Sequence, residues 1–257
     1  MLYIESEQNK LLKKIKALQL KKYRQAYGQF VLEGDRFLAE ALQKQAAIEA
    51  VLVAEDHAAK ALEQLSDFAG PVYLVKRGLL EKALNTVNPQ GAAAIVQKPD
   101  WSRLTLANMR TILVIDGVQD PGNLGTIIRT ALASGTDAVY CLKGTVDLYN
   151  DKVLRATMGA VFAQPVIMVE EHQPFLEELR QAGFATVVAD IRASVYYDQL
   201  AYPEKTALVV SNEANGPMLI REGDHCVKIP LHAAAESLNV AVAAGILLYE
   251  LEKRRRT

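Results

Sequence analysis

Apolar residues recur at helical spacing early in the chain, where Leu11, Leu12, Ile15 and Leu18 stand between lysines. That spacing predicts an amphipathic helix with one face on a core and a cationic face in water. Phe30-Val31-Leu32-Glu33-Gly34 reads as a short strand ending in glycine, and Phe37, Leu38, Ala41 and Leu42 mark a second helix. Ala50–Ala54 and Val72–Val75 are further short strand-like runs, with a helical stretch between them. This order suits a small α/β sandwich of about 95 residues. Breakers then gather in Asn88-Pro89-Gln90-Gly91 and in Lys98-Pro99-Asp100-Trp101-Ser102-Arg103. A linker is therefore expected near residues 98–108, dividing a domain at 1–98 from one at 108–257.

Beyond the linker the two periods alternate. Strands are predicted at Thr111–Ile115, Ala138–Leu142, Val166–Val169, Ala185–Asp190, Ala207–Ser211 and Val227–Leu231. Helices are predicted at Asn123–Ser134, Asp151–Phe162, Phe175–Ala182 and Ser237–Leu251. Strand–helix alternation implies an α/β fold with a mostly parallel sheet covered by helices on both faces. The chain shows no internal repeat and no low-complexity tract.

Of the 257 residues, 50% are apolar and 23% charged, the balance of a globular protein with a real core. Cys141 and Cys226 are too few and too far apart for a disulfide framework or a zinc knuckle. They fit a reducing cytoplasm, as small buried apolar side chains. Met1–Leu20 has neither an apolar h-region nor a small-residue cleavage site, so no secretion signal is expected there. The uncharged run Ser237–Tyr249 is shorter than the roughly 20 residues that span a bilayer, so no membrane segment is expected. No metal site is expected either.

Net charge is −1, but its distribution is uneven. Lys10, Lys13, Lys14, Lys16, Lys21, Lys22 and Arg24 fall in one stretch without an acid, and the chain closes on Lys253-Arg254-Arg255-Arg256. Such clusters can supply phosphate contacts on a nearly neutral molecule, or be a solvated helix face and a ragged tail.

Three segments can carry chemistry. In the first, the strand ending at Ile115-Asp116 enters a loop shaped by Gly117, Pro121 and Gly122, and a helix follows with Asn123, Gly125 and Arg129. Amides at such a helix start favour anions; alone, Asn123 fits a turn or cap and Arg129 a surface position. The glycines at 117, 122 and 125 do not follow G-x-G-x-x-G, and Asp137 precedes its strand instead of ending it. A nicotinamide dehydrogenase is disfavoured on both counts. The second segment, Asp151–Phe162, has a basic edge at Lys152 and Arg155 and small residues at Ala156, Gly159 and Ala160. It could be a closely packed amphipathic helix, or could bring Arg155 to a phosphate. The third runs from the strand Ala207–Ser211 into Asn212-Glu213, then through Val227-Lys228-Ile229-Pro230-Leu231 to Ser237-Leu238-Asn239-Val240. A helix cap accounts for Ser237; it leaves Asn239, a weak helix former among apolar neighbours, unexplained.

Together these segments resemble the three motifs of the SpoU, or TrmH-type, RNA ribose methyltransferases. The matching pieces are Asn123-Leu124-Gly125 with Arg129, Arg155-Ala156-Thr157-Met158-Gly159-Ala160, and Asn212-Glu213 with Ile229-Pro230 and Ser237-Leu238-Asn239-Val240. They keep the family's order over roughly residues 107–250, and Arg24–Gly34 looks like its separate RNA-substrate-binding domain. The resemblance implies a parallel sheet with a deep trefoil knot, a homodimer, and S-adenosylmethionine as methyl donor. It gives Arg129 the central catalytic position, shaped by Asn123, Glu213, Ser237 and Asn239. It sets the donor against Ser211, Ile229 and Leu238, and brings Arg155 to the RNA. Lys13, Lys14, Lys21, Lys22 and Arg24 are the RNA-binding candidates of the N-terminal domain. Three positions depart from the family: Ser211 and Ala214 stand where glycine is common, and Thr157 replaces a common serine.

The implied reaction moves a methyl group onto a ribose 2′-hydroxyl, which DNA lacks. An arginine is a reluctant base, so Arg129 is expected to stabilise developing oxyanion charge, with a neighbouring phosphate helping to take the proton. By family analogy large-subunit (23S) ribosomal RNA is the first expected substrate and transfer RNA the second. A non-catalytic RNA-binding or ribosome-assembly protein on the same scaffold is the alternative from another class.

Overall fold

The computed structural model describes residues 2–84, 90–212 and 223–256, and its contacts divide into Met1–Asp100 and Trp101–Thr257. Glu213, Ala214, Asn88 and Pro89 lie outside the described residues.

In the first unit β1 (Leu2–Ile4) leads to α1 (Lys10–Leu18), which Asn9 caps by accepting a hydrogen bond from the Leu11 amide. Then come α2 (Lys21–Tyr27), β2 (Gln29–Glu33), α3 (Asp35–Gln43), β3 (Ile48–Ala54), α4 (Ala58–Gln64), β4 (Val72–Val75), α5 (Arg77–Leu84) and β5 (Ala92–Gln97). The sheet runs β1-β4-β3-β5-β2, parallel from β1 to β3 and antiparallel at β5. Leu12, Ile15 and Leu18 from α1 reach a core shared with Leu52, Ile95 and Leu80. Two strands escaped the sequence pattern. Three residues are too few for β1 to show a period, and β5 opens on three alanines, which carry little strand preference.

The second unit is a seven-stranded sheet in the order β10-β12-β9-β11-β6-β7-β8, with every pairing parallel. Its strands are β6 (Thr111–Asp116), β7 (Ala138–Leu142), β8 (Val166–Val169), β9 (Ala185–Ala189), β10 (Val195–Tyr196), β11 (Thr206–Ser211) and β12 (His225–Lys228). Its helices are α6 (Pro121–Ala133), α7 (Asp151–Thr157), α8 (His172–Gln181) and α9 (Val240–Arg256). The mostly parallel α/β fold expected from the alternating pattern is thus present. The runs Ile112–Ile115 and Ala207–Val210 are fully buried, as parallel strands covered on both faces must be. Topologically, β6, β7 and β8 advance toward one edge, β9 returns past β6, and β11 fits between them. Ligands of parallel sheets bind at the carboxyl ends of strands beside such a reversal.

Several boundaries differ from expectation for local reasons. Helix α6 starts at Pro121 rather than Asn123, because Asp120 accepts the Asn123 amide at 2.7 Å and proline suits the first helical position. The helix expected to reach Phe162 stops at Thr157, where Met158 and Gly159 turn left-handed at φ +49° and +78°; a single 3-10 turn follows over Ala160–Phe162. The final helix begins at Val240, three residues after Ser237, and Asn239 is its cap. Its basic end is an ordered helical turn in place of a ragged tail. Arg254 pairs with Glu250 and Arg256 with Glu252, and Arg255 reaches Asp137 and the Gly135 carbonyl. Of the cysteines, Cys141 is buried, its thiol pushed up to about 12 by that burial, while Cys226 is only half-buried. Among the described residues no helix is long and apolar enough to cross a membrane.

Candidate active site

Close packing of α6 on α7 sets the first part of the site. Leu124, Ile127, Ile128 and Ala131 form the buried stripe of α6. Gly125 lets the two helices meet: a Cβ there would lie 2.3 Å from the Ala156 Cβ and 2.8 Å from the Val153 carbonyl oxygen. Arg129 stands on the exposed side of α6. Arg155 projects from α7 and forms a loose 3.8 Å ion pair with Asp151 one turn earlier. Thr157 is fully buried, its hydroxyl donating to the Leu154 carbonyl at 2.7 Å.

Asn239 joins α9 to α6. Its Oδ1 accepts from the Ala241 and Val242 amides at 2.9 and 3.3 Å, which caps α9. Its Nδ2 donates to the Asn123 Oδ1 at 2.9 Å. One amide therefore satisfies a helix end through its oxygen and, through its nitrogen, fixes the start of α9 against the start of α6.

Beside this link a cavity of about 620 Å³ opens at the carboxyl ends of β9, β11 and β12, with Val240, Ala243 and Leu247 of α9 forming its back wall. Its size is that of a pocket for a drug-sized ligand. Val210, Val227, Ile229, Leu231 and Leu238 supply apolar lining, while Ser211, Asn212, Lys228, Glu236 and Ser237 add polar groups. Asp190 and Arg192 complete the wall after β9; the Asp190 carboxylate accepts from Arg192 Nη2 at 2.7 Å, Nε at 3.0 Å and the Arg192 amide at 2.9 Å. These hydrogen bonds, from the guanidinium first, hold the Asp190 carboxyl below the usual carboxylate range.

The structure therefore gathers Ser211, Ile229, Leu238 and Ser237 on one cavity, and ties Asn123 to Asn239 next to it. Arg129 and Arg155 do not line that cavity, and Glu213 lies outside the described residues. Sequence reasoning missed Asp190 and Arg192 as cavity residues; the available signal was their place at the carboxyl end of a predicted parallel strand. Asp137, unsuitable for a dinucleotide ribose, instead accepts the Arg110 and Thr111 amides at 2.8 Å each. Among the described residues no group of three or more histidine, cysteine, aspartate or glutamate side chains could hold a metal ion.

In the first unit the basic stretch sorts into two sets. Lys10, Lys13, Lys16, Lys21 and Lys22 are exposed. Arg24 departs from its expected RNA-binding role: it is buried, and its Nη1 donates to the Leu18 and Gln19 carbonyls at 2.8 and 2.7 Å, closing the end of α1. Lys14 is half-buried and paired with Glu49 at 2.7 Å.

Fold and cavity define an α/β protein with a pocket of small-molecule size at the carboxyl ends of a parallel sheet. Residues 110–249 match the model of the SpoU rRNA Methylase family, and residues 9–94 match the MRM3-like substrate binding domain. The chain belongs to the SpoU rRNA methylase family. It is 37% identical to the 23S rRNA (guanosine(2553)-2′-O)-methyltransferase RlmP of Bacillus subtilis, over 96% of this chain and 98% of that protein. Among solved structures it resembles an AdoMet-bound rRNA methyltransferase from Sinorhizobium meliloti, with 30% identity and a TM-score of 0.81 over 99% and 98% of the two chains. It also resembles the SpoU methyltransferase AviRb from Streptomyces viridochromogenes in complex with AdoMet, with 25% identity and a TM-score of 0.84 over 97% and 99%.

Proposed function

We propose that this protein transfers the methyl group of S-adenosylmethionine to a ribose 2′-hydroxyl of 23S ribosomal RNA. The observation that carries the proposal is the cavity at the ends of β9, β11 and β12, walled by the segments that bear the family's third motif. The likeness along nearly the whole chain to a 23S rRNA 2′-O-methyltransferase supplies the substrate class.

The cavity suits the donor in size and in chemistry. Its apolar side, from Val227, Ile229 and Leu238, suits an adenine ring, and the polar groups of Ser211 and Ser237 suit the rest of the molecule. When bound, S-adenosylmethionine supplies a methyl group already activated by its sulfonium. The protein then has to place the ribose oxygen in line and help the hydroxyl lose its proton. Arg129, with its head in no ion pair among the described residues, supplies positive charge to the developing oxyanion, and an RNA phosphate helps to take up the proton. Asn123 and Asn239 hold the starts of α6 and α9 together, so they position the helix that carries Arg129. Glu213 shapes the site with Ser237, and Arg155 approaches the RNA backbone.

The remaining architecture that we propose is the family's: a trefoil knot in the catalytic domain, and a homodimer. In support of the dimer, α9 exposes Val242 and Tyr249, seven residues apart on one helix face and each 51% exposed. Residues 1–98 serve as the RNA-substrate-binding domain and 108–257 as the catalytic domain, in a cytoplasmic enzyme.

The test is transfer of labelled methyl from S-adenosylmethionine to unmodified 23S rRNA and, separately, to transfer RNA. Label on the ribosomal RNA, abolished by Arg129→Ala while donor binding persists, is the expected result. Label on transfer RNA alone moves the substrate class, and undiminished turnover in Arg129→Ala removes that residue from the reaction.

A further inference from the structure

Tyr23 and Tyr27 stand one turn apart on α2 with ring centroids 6.2 Å apart and planes inclined by 15°. Tyr27 nevertheless remains 51% exposed. Cations flank both rings, the Lys22 Nζ lying 4.8 Å from the Tyr23 centroid and the Lys14 Nζ 5.8 Å from that of Tyr27. The helix that carries the pair is anchored at both ends. Arg24, between the two tyrosines in sequence, anchors α2 to the end of α1 through the Leu18 and Gln19 carbonyls, and Gly28 closes the helix at φ +63°. Little helix freedom is therefore left to be lost on binding.

Cations predominate on α1 and α2, neither of which contains an acid. Lys10, Lys13, Lys16, Lys21 and Lys22 are exposed and form no ion pair among the described residues. The nearby acids are engaged: Glu49 by Lys14 and Gln29, and Glu7 by Lys82. An exposed aromatic face within a lysine field matches a polyanion that also offers flat apolar surfaces. A regular duplex offers the phosphates but keeps its base faces stacked; an unpaired strand offers both.

We propose that Tyr27, backed by Tyr23 and flanked by Lys14 and Lys22, is a stacking platform for an unpaired nucleobase of the substrate RNA. Exposed lysines of α1 and α2 hold the adjoining phosphates. The proposal rests on the RNA-methyltransferase function above and adds to it that the N-terminal unit selects single-stranded, looped or bulged RNA rather than continuous helix.

Full-length wild-type, Tyr27→Ala and Tyr27→Phe proteins should be titrated with a short unstructured RNA oligonucleotide and with the duplex made by adding its complement. Fluorescence anisotropy gives the affinities, and quenching of a fluorescent base analogue reports stacking. Tyr27→Ala should weaken single-strand binding about 5- to 100-fold and abolish the quenching. Duplex binding should change little, and Tyr27→Phe should keep both affinity and quenching because the ring is retained. Unchanged single-strand affinity in Tyr27→Ala, or equal losses on single strand and duplex, would overturn the platform; the first result would leave this face to an acidic protein partner. Methyl transfer by the wild-type chain separates the two claims. No transfer to any RNA removes the activity itself, whereas transfer together with unchanged Tyr27→Ala affinity removes only the platform.

Discussion

Replacing Gly125 with alanine tests whether the α6–α7 contact positions Arg129, the candidate catalytic residue, and Arg155, the candidate RNA contact. The added Cβ would meet the Ala156 Cβ at 2.3 Å and two backbone atoms, the Val153 oxygen and the Ala156 carbonyl carbon, at 2.8 and 2.9 Å. Backbone cannot rotate away as a side chain can, so the cost belongs near the upper end of overpacking, about 3 kcal/mol. Alanine's better helix propensity offsets about 1 kcal/mol. The net is a destabilisation of about 2 kcal/mol, or a fall in melting temperature of about 4–8 °C for a unit of this size. Circular dichroism or calorimetry reads that shift. Methyl transfer should fall further than the unfolded fraction explains, because α6 carries Arg129 and α7 carries Arg155. Ala156→Gly added to Gly125→Ala removes the 2.3 Å contact but keeps the backbone ones, so it should recover part of the loss. An unchanged or raised melting temperature in Gly125→Ala would refute the packing argument.

Asn239→Asp keeps an oxygen to cap α9 but loses the donor to Asn123, whereas Asn239→Ala loses both. The alanine variant should be destabilised by about 1 kcal/mol. The aspartate variant should melt close to the wild type yet lose methyl transfer, and full activity in it would show that the Asn123 link is dispensable. Asp224 accepts from the Thr186 amide at 2.7 Å and the Thr186 hydroxyl at 2.9 Å, and these bonds, the backbone one first, hold its carboxyl below the usual range. Asp224→Asn should cost about 1 kcal/mol, a low value because the side chain is exposed. A depressed folded-state pKa contributes stability that is complete above the unfolded value near 3.9 and is lost as pH falls through the folded value. The difference in denaturant midpoint between wild type and Asp224→Asn should thus hold from neutrality to about pH 5 and shrink below about pH 4; a gap that persists in acid would contradict the assignment.

The parallel sheet was legible because β6, β7, β8, β9 and β11 are apolar runs separated by helical periods, and burial on both faces demands that composition. Strand order was not legible: the insertion of β11 between β6 and β9 depends on packing across the whole unit, which local periodicity does not encode. Helix ends were misplaced where a neighbour decided them. Asp120 competes with Asn123 as a cap, and Asn239 supersedes Ser237, because each choice also depends on which side chain is required elsewhere. At the site, Ser211, Ile229, Ser237 and Leu238 could be named from motif resemblance, but their convergence on one cavity depends on β9 supplying the opposite wall through Asp190 and Arg192. Charge was the least transferable signal. Arg24 and Lys14 look like the other basic residues in sequence, yet a buried carbonyl pair and Glu49 claim them.

The central claim is that the acceptor is a ribose oxygen, and alkaline hydrolysis of RNA labelled by the enzyme tests it most directly. Alkali cleaves RNA through attack of each 2′-hydroxyl on its neighbouring phosphate, so a methylated 2′-oxygen leaves that one linkage intact. Ribose methylation predicts labelled dinucleotides that resist alkali, whereas label recovered in mononucleotides would place the methyl on a base and contradict the account.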